Sequence, residues 1–221
     1  MLEQESVFKR TEVEGEIISD RVYNLAIGVV LAWGFWVNYY MIKTIPIEAI
    51  QSVSPWLLLI GYFVSCFAGI MIFTRSDNPT VSFLGYNLVV IPMGIIISPF
   101  VHSFDPQIVE RAFLATGLVT TIMVILGTAY PAFFFKIAGA LFWALLSVIV
   151  VELFMAFVLG YSASFIDWIV VAIFCGYIGY DWARANSIPK TLDNAVDSAA
   201  SLYIDIINLF IRILSIMGRR D

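Results

Sequence analysis

Ser198-Ala199-Ala200-Ser201-Leu202-Tyr203-Ile204-Asp205-Ile206-Ile207-Asn208-Leu209-Phe210-Ile211-Arg212-Ile213-Leu214-Ser215 is the stretch on which the fold turns. Its polar members Ser198, Ser201, Asp205, Asn208, Arg212 and Ser215 recur every three or four residues, which lays them along one narrow stripe of an α-helix. Every other side is apolar. A helix at a protein–water boundary shows a broad polar face, so a single stripe predicts a helix in lipid, with the stripe turned toward a protein or water-filled interior.

Six further apolar runs precede it, near 22–42, 53–73, 81–104, 108–130, 133–159 and 164–182. A bilayer core about 30 Å thick takes about 20 helical residues to cross, and each run is long enough. The breaks between them carry turn chemistry: Ile45-Pro46 and Ser54-Pro55, then Arg75-Ser76-Asp77-Asn78-Pro79, His102-Ser103-Phe104-Asp105-Pro106, Ala129-Tyr130-Pro131 and Tyr161-Ser162-Ala163-Ser164. The last connection, roughly 186–196, makes the sixth run and the 198–217 segment an antiparallel hairpin. The expected organisation is an acidic soluble tail over 1–21, one seven-helix transmembrane domain over 22–217 and a short tail over 218–221. It is an all-α membrane protein.

Composition agrees. The chain is 61% hydrophobic and 13% charged, about half the charge of an ordinary soluble domain at about 25%, too little to cover a water-facing surface. The net charge of −5 comes largely from Glu3, Glu5, Glu12, Glu14, Glu16 and Asp20 and argues against nucleic acid as a partner. The start lacks the basic residues and short apolar core of a cleaved signal. Cys66 and Cys175 each lie within an apolar run and read as packed small hydrophobes. The single histidine, His102, has no partners for a metal site. No nucleotide loop, nucleophile elbow or zinc signature is present, nor the glycine-flanked aspartate of the aspartyl membrane proteases, and the reading is not an enzyme.

Loop charges set orientation. Lys9, Arg10, Arg21, Arg75, Lys136, Arg184 and Lys190 fall on the N-terminal side, against Lys43, Arg111, Arg219 and Arg220 if the last segment spans. The N-terminus is therefore expected in the cytoplasm. Should the last segment dip in and return, the C-terminus would join it there.

Ionisable groups in a bilayer core cost at least about 2.5–3.5 kcal/mol on insertion scales, so each is a functional candidate. Asp181 ends the sixth run, Asp205 lies inside the seventh, and the hairpin allows the two to meet at similar depth. Two carboxyls in contact share a proton rather than both ionise, and they also offer oxygens to a hard cation such as Ca²⁺. The alternative is that Asp181 flanks a helix end while Asp205 pairs with Arg212 on its own stripe. Arg75, after the second run, is either an interfacial anchor or the cationic partner of the aspartates. Glu152, deep in the fifth run, either faces a water-filled route or is an isolated buried acid. Asp167 and Glu110 lie near run ends, where the interface is expected to solvate them. Ser201, Asn208 and Arg212 are candidate pore or stripe lining, with Glu152 beside them. Pro92 and Pro99 are expected to kink or end the third membrane helix, and Gly117, Gly127, Gly139 and Gly160 suit close packing.

Ser201-Leu202-Tyr203-Ile204-Asp205-Ile206-Ile207-Asn208-Leu209-Phe210 resembles the C-terminal signature of the Bax inhibitor-1 family, a Leu-Tyr-x-Asp-x-x-Asn-Leu-Phe run. Tyr180-Asp181 matches the family's acid at the end of the preceding helix. Gly94-Ile95-Ile96-Ile97-Ser98-Pro99 and Ile125-Leu126-Gly127-Thr128 are similar to stretches of its third and fourth helices. The resemblance covers most of the chain from about 53 onward. It implies seven membrane helices with the C-terminal one central, and in bacterial members a pH-gated calcium leak of the inner membrane. Asp181 and Asp205 would then be the proton-sensing pair and Arg75 its latch, with calcium ions and protons as ligands and no cofactor. Relatives in animals and plants are linked to suppression of cell death, and one bacterial branch to modulation of a membrane-bound protease. The alternative expectation is therefore a non-transporting regulator of another membrane protein. The chain departs from the family in having no acid after Phe133-Phe134-Phe135-Lys136, in Val64 and Ser65 where some relatives carry an acid, and in Glu152.

Overall fold

A computed structural model describes residues 16–159 and 164–219. Most of the expected acidic tail, residues 1–15, lies outside the described residues, as do Gly160 and Arg220. The helices are α1 (Asp20–Thr44), α2 (Ile47–Gln51), α3 (Pro55–Arg75), α4 (Pro79–His102), α5 (Pro106–Ala129), α6 (Pro131–Phe154), α7 (Ser164–Ala185) and α8 (Leu192–Gly218). A π-helical turn, Met155–Leu159, follows α6. Seven of these, all but the short α2, are long and apolar enough to cross a membrane among the described residues. The chain is an all-α multi-pass membrane bundle.

Of the five prolines that mark the breaks, Pro46 precedes α2 as its N-cap, and Pro55, Pro79, Pro106 and Pro131 are each the first residue of the next helix. Proline suits that place because its missing N–H would have no partner in the first turn. Asn78 and Asp105 cap two of these starts, accepting from Thr80 N–H at 2.9 Å and Gln107 N–H at 2.8 Å. Pro92 and Pro99 do not end α4, which runs unbroken to His102. Pro92 deprives the Leu88 carbonyl of its helical donor, and Ser65 Oγ donates to that carbonyl at 2.7 Å. A hydroxyl from the neighbouring helix thus satisfies what hydrocarbon could not.

The chain divides into two compact units. The first holds residues 1–103 and 187–203, so it contains α1 to α4 and the first half of α8. Here Tyr203 Oη donates to Asn38 Oδ1 at 2.5 Å, Asn38 Nδ2 to the Val90 carbonyl at 2.9 Å, and Ser82 Oγ to Asp193 Oδ1 at 2.6 Å. Lys190 pairs with Asp20 at 2.8 Å, which puts the α7–α8 connection on the same side as the start of α1. A Cβ at Gly69 would stand 2.5 Å from the Gly85 carbonyl oxygen, so α3 and α4 meet backbone to backbone.

The second unit holds residues 104–186 and 204–221, hence α5, α6, α7 and the second half of α8. Trp182 Nε1 donates to Thr128 Oγ1 at 2.8 Å, and a Cβ at Gly127 would stand 2.6 Å from the Gly179 carbonyl oxygen. Of the glycines expected to pack, Gly127 does so. Gly117 and Gly139 do not, for nothing lies near a Cβ built on either.

Exposed side chains explain why this is a membrane protein. Trp56, Ile60, Phe63 and Phe67 on α3 are each more than half exposed, as are Phe113, Leu114, Leu118 and Ile125 on α5. Contiguous apolar surface of this extent is foreign to water-soluble monomers and suits acyl chains. By contrast α8 is buried along most of its length, from Asp193 through Ala200 and again at Asp205, Leu209 and Leu214.

Candidate functional site

Asp181 stands in the last turn of α7 and Asp205 in the middle of α8, 7% and 6% exposed. Their carboxyl groups lie within hydrogen-bonding reach of each other. The antiparallel hairpin therefore does bring the two acids together. Taken as two carboxylates they leave Asp205 Oδ2 buried with no donor. Tyr177, one turn before Asp181, is close enough for both carboxyls to act on its hydroxyl.

The cation beside Asp181 is Arg184, one turn further along α7, with Nη2 at 3.3 Å from Oδ1. Its side chain is 8% exposed. In the sequence Arg184 stands out only as a loop charge. A residue three places after an aspartate at the end of an apolar run was open to a second reading, because positions i and i+3 share a helix face. Arg75, assigned the latch by resemblance, closes α3 and is exposed.

The expected alternative in which Asp205 pairs with Arg212 is not what is found. Arg212 turns to two other acids. Its Nη1 donates to Glu152 Oε1 at 2.6 Å and to Asp167 Oδ1 at 2.8 Å, and its Nη2 donates to Glu152 Oε2 at 2.8 Å. Asp167 Oδ2 accepts from Ser215 Oγ at 3.1 Å and pairs with Arg219 at 2.8 Å. Asp167 was expected to be solvated at a run end and instead is 3% exposed. The reason is that Arg212 of α8 and Arg219, just beyond its end, cover it. Glu152 is no isolated acid, since the guanidinium of Arg212 binds it two-pronged.

Of the other lining candidates, Asn208 donates to its own helix at the Ile204 carbonyl, 2.7 Å away, and Ser201 is half-buried. Asp193, Asn194, Asp197 and Ser198 extend the polar content of α8 and are all buried. The first three of these fall outside the 198–217 segment expected from the sequence, because the short polar residues at 193–197 look like the end of a loop. Cys66 and Cys175 are free and half-buried. Among the described residues no three or more His, Cys, Asp or Glu side chains gather as a metal site, so the two carboxyls of the pair would meet a cation without a third acid.

Residues 17–221 match the family model described as "Inhibitor of apoptosis-promoting Bax1". An uncharacterized membrane protein of Streptococcus pyogenes serotype M6 is 28% identical over 215 residues, 91% of this chain and 92% of its own. Bax inhibitor 1 of Schizosaccharomyces pombe is 26% identical over 197 residues, 85% of this chain and 65% of its own. Protein LIFEGUARD 4 of Arabidopsis thaliana is 35% identical over 116 residues, 48% of this chain and 46% of its own. The signature on α8, the acid at the end of α7 and a match along nearly the whole chain lead to one conclusion: this protein belongs to the Bax inhibitor family.

Proposed function

We propose that the protein is a pH-sensitive calcium leak of a bacterial inner membrane, with its N-terminus in the cytoplasm and Asp181 and Asp205 as the proton-sharing sensor. The observation that carries the reading is the meeting of two buried carboxyls on α7 and α8. Among the described residues two acids face one arginine, which leaves one negative charge without a counter-charge, and the cheapest occupant of that place is a proton held between the carboxyls. Such a proton supplies the hydrogen-bond donor that two carboxylates lack.

A shared proton becomes a switch when two conformations hold it unequally. A difference of one pKa unit between two states is worth about 1.4 kcal/mol, enough to move a balanced equilibrium about tenfold. Losing the proton restores repulsion between the carboxylates and loosens α7 from α8, while Arg184 stays with Asp181. Arg75 carries the latch role in this reading, and Arg184 divides the work by neutralising one of the two acids at rest. Calcium enters as cargo, met by carboxyl oxygens that a hard cation prefers.

The test is calcium entry into liposomes that hold the purified protein and a trapped dye, at pH 6, 7 and 8. Flux that varies with pH in the wild type and no longer varies in Asp181→Asn and Asp205→Asn is the expected result. Folded protein with no flux above empty liposomes overturns it. A second reading draws on one relative's printed name, Bax inhibitor 1, which describes action on another protein. In it the chain is a non-transporting regulator that binds a membrane partner such as a membrane-bound protease, and absence of flux would favour it.

A further inference from the structure

Beyond the aspartate pair, the second unit holds a cluster the calcium reading does not use. Glu152 from α6, Asp167 from the first turn of α7, Arg212 and Ser215 from the end of α8, and Arg219 just beyond it bond to one another over 2.6–3.1 Å. All but Ser215 border a cleft of about 160 Å³ that Met155 and Ala156 of the π turn also line. At roughly 30 Å³ per water the cleft has room for several.

The connectivity of the cluster is uneven. Glu152 is held through Arg212 by two bonds, and Asp167 by Arg212, Arg219 and Ser215. Among the described residues Arg212 is thus the one group bonded to both acids, and each acid comes from a different helix. The inner rung is well covered, with Arg212 at 27%, Glu152 at 32% and Asp167 at 4% side-chain exposure, whereas Arg219 in the outer rung is at 40%. Salt screens exposed pairs far more than covered ones, so the outer rung yields first and the inner one decides.

We propose that Arg212 is the bolt of a two-rung ion-pair lock that holds the last turns of α8 to the end of α6 and the start of α7, and that its release opens the cleft. Among the described residues the lock is balanced, two acids against two arginines, so no net charge of theirs drives it apart. Its release is close to all-or-none: a guanidinium that leaves Glu152 and Asp167 abandons both at once. The π turn next to Glu152 supplies the compliant segment, since such turns interrupt the regular helical ladder. This proposal stands whether or not calcium passes through the protein.

The experiment is a spin-label distance measurement in nanodiscs. Labels are placed at Phe157→Cys on the π turn and Met217→Cys on α8, in a Cys66→Ser, Cys175→Ser background. A single narrow distribution is expected with Arg212 present, a longer and broader one in Arg212→Gln, and a return toward the first in Arg212→Lys. Should Arg212→Gln fail to yield folded protein, Glu152→Gln, which leaves Arg212 on Asp167, is expected to give a partial shift. An unchanged distribution in folded Arg212→Gln, or in Glu152→Gln where it stands in, overturns the lock. A shift in distance without calcium flux in any variant keeps the lock and sinks the calcium reading instead.

Discussion

Asp181 and Asp205 meet beside one arginine, Arg184, whereas Glu152 and Asp167 meet between two, Arg212 and Arg219. Both clusters are built on α7 and α8. Along α7 their acids are fourteen residues apart, about 21 Å at 1.5 Å per residue, so they occupy separate levels of one hairpin. One arginine makes the difference. With two acids and one arginine among the described residues, a buried cluster needs a proton to be neutral, and its state follows pH. With two of each, it is neutral already and behaves as a fastener. The lesson is that an acid inside a membrane protein is not a sensor by virtue of its depth. What decides is the count of counter-charges around it.

The comparison can be broken by removing its charges one at a time. The largest effect is expected from Arg212→Gln, which leaves two acids without their shared cation. Removing one partner of a buried pair costs about 3–5 kcal/mol, and with Arg212 and Glu152 partly exposed the lower end is expected, read from the unfolding transition in mixed micelles. Asp167→Asn follows at about 1–3 kcal/mol, the range for losing charged hydrogen bonds, by the same measurement. Arg219→Gln should cost no more than about 1 kcal/mol, as exposed pairs do, and its deficit should shrink in high salt. Asp205→Asn sits at the small end, within about 1 kcal/mol of wild type and on the stabilising side, because it removes an uncompensated acid. A fall in stability for Asp205→Asn as large as that of Arg212→Gln would erase the distinction between sensor and fastener.

Much of this architecture is legible in the sequence. The apolar runs place the membrane helices to within a few residues, because length and polarity alone decide whether a helix can cross, and four of the five prolines that break them become first residues of helices. Asp181 and Asp205 are legible as a pair because a short loop between two helices fixes their relative depth. Asp167, Arg184 and Arg219 are less so. Each sits within a turn or two of a helix end, where a single-helix reading assigns any charge to the headgroup layer. The burial of Asp167 depends on charges arriving from another part of the chain, and a window sliding along one helix cannot see a neighbour's arginine. Glu152 shows the same limit from the other side. It looks isolated because its partner is sixty residues away in the chain.

The most direct test of the central claim, that one proton is shared between Asp181 and Asp205, is infrared spectroscopy of the carboxyl groups in membranes across a pH titration. The expected result is a protonated carboxyl band that responds to pH and disappears in both Asp181→Asn and Asp205→Asn, while Glu152→Gln leaves it in place. A band that survives either aspartate substitution unchanged would contradict the shared proton, and with it the pH sensor.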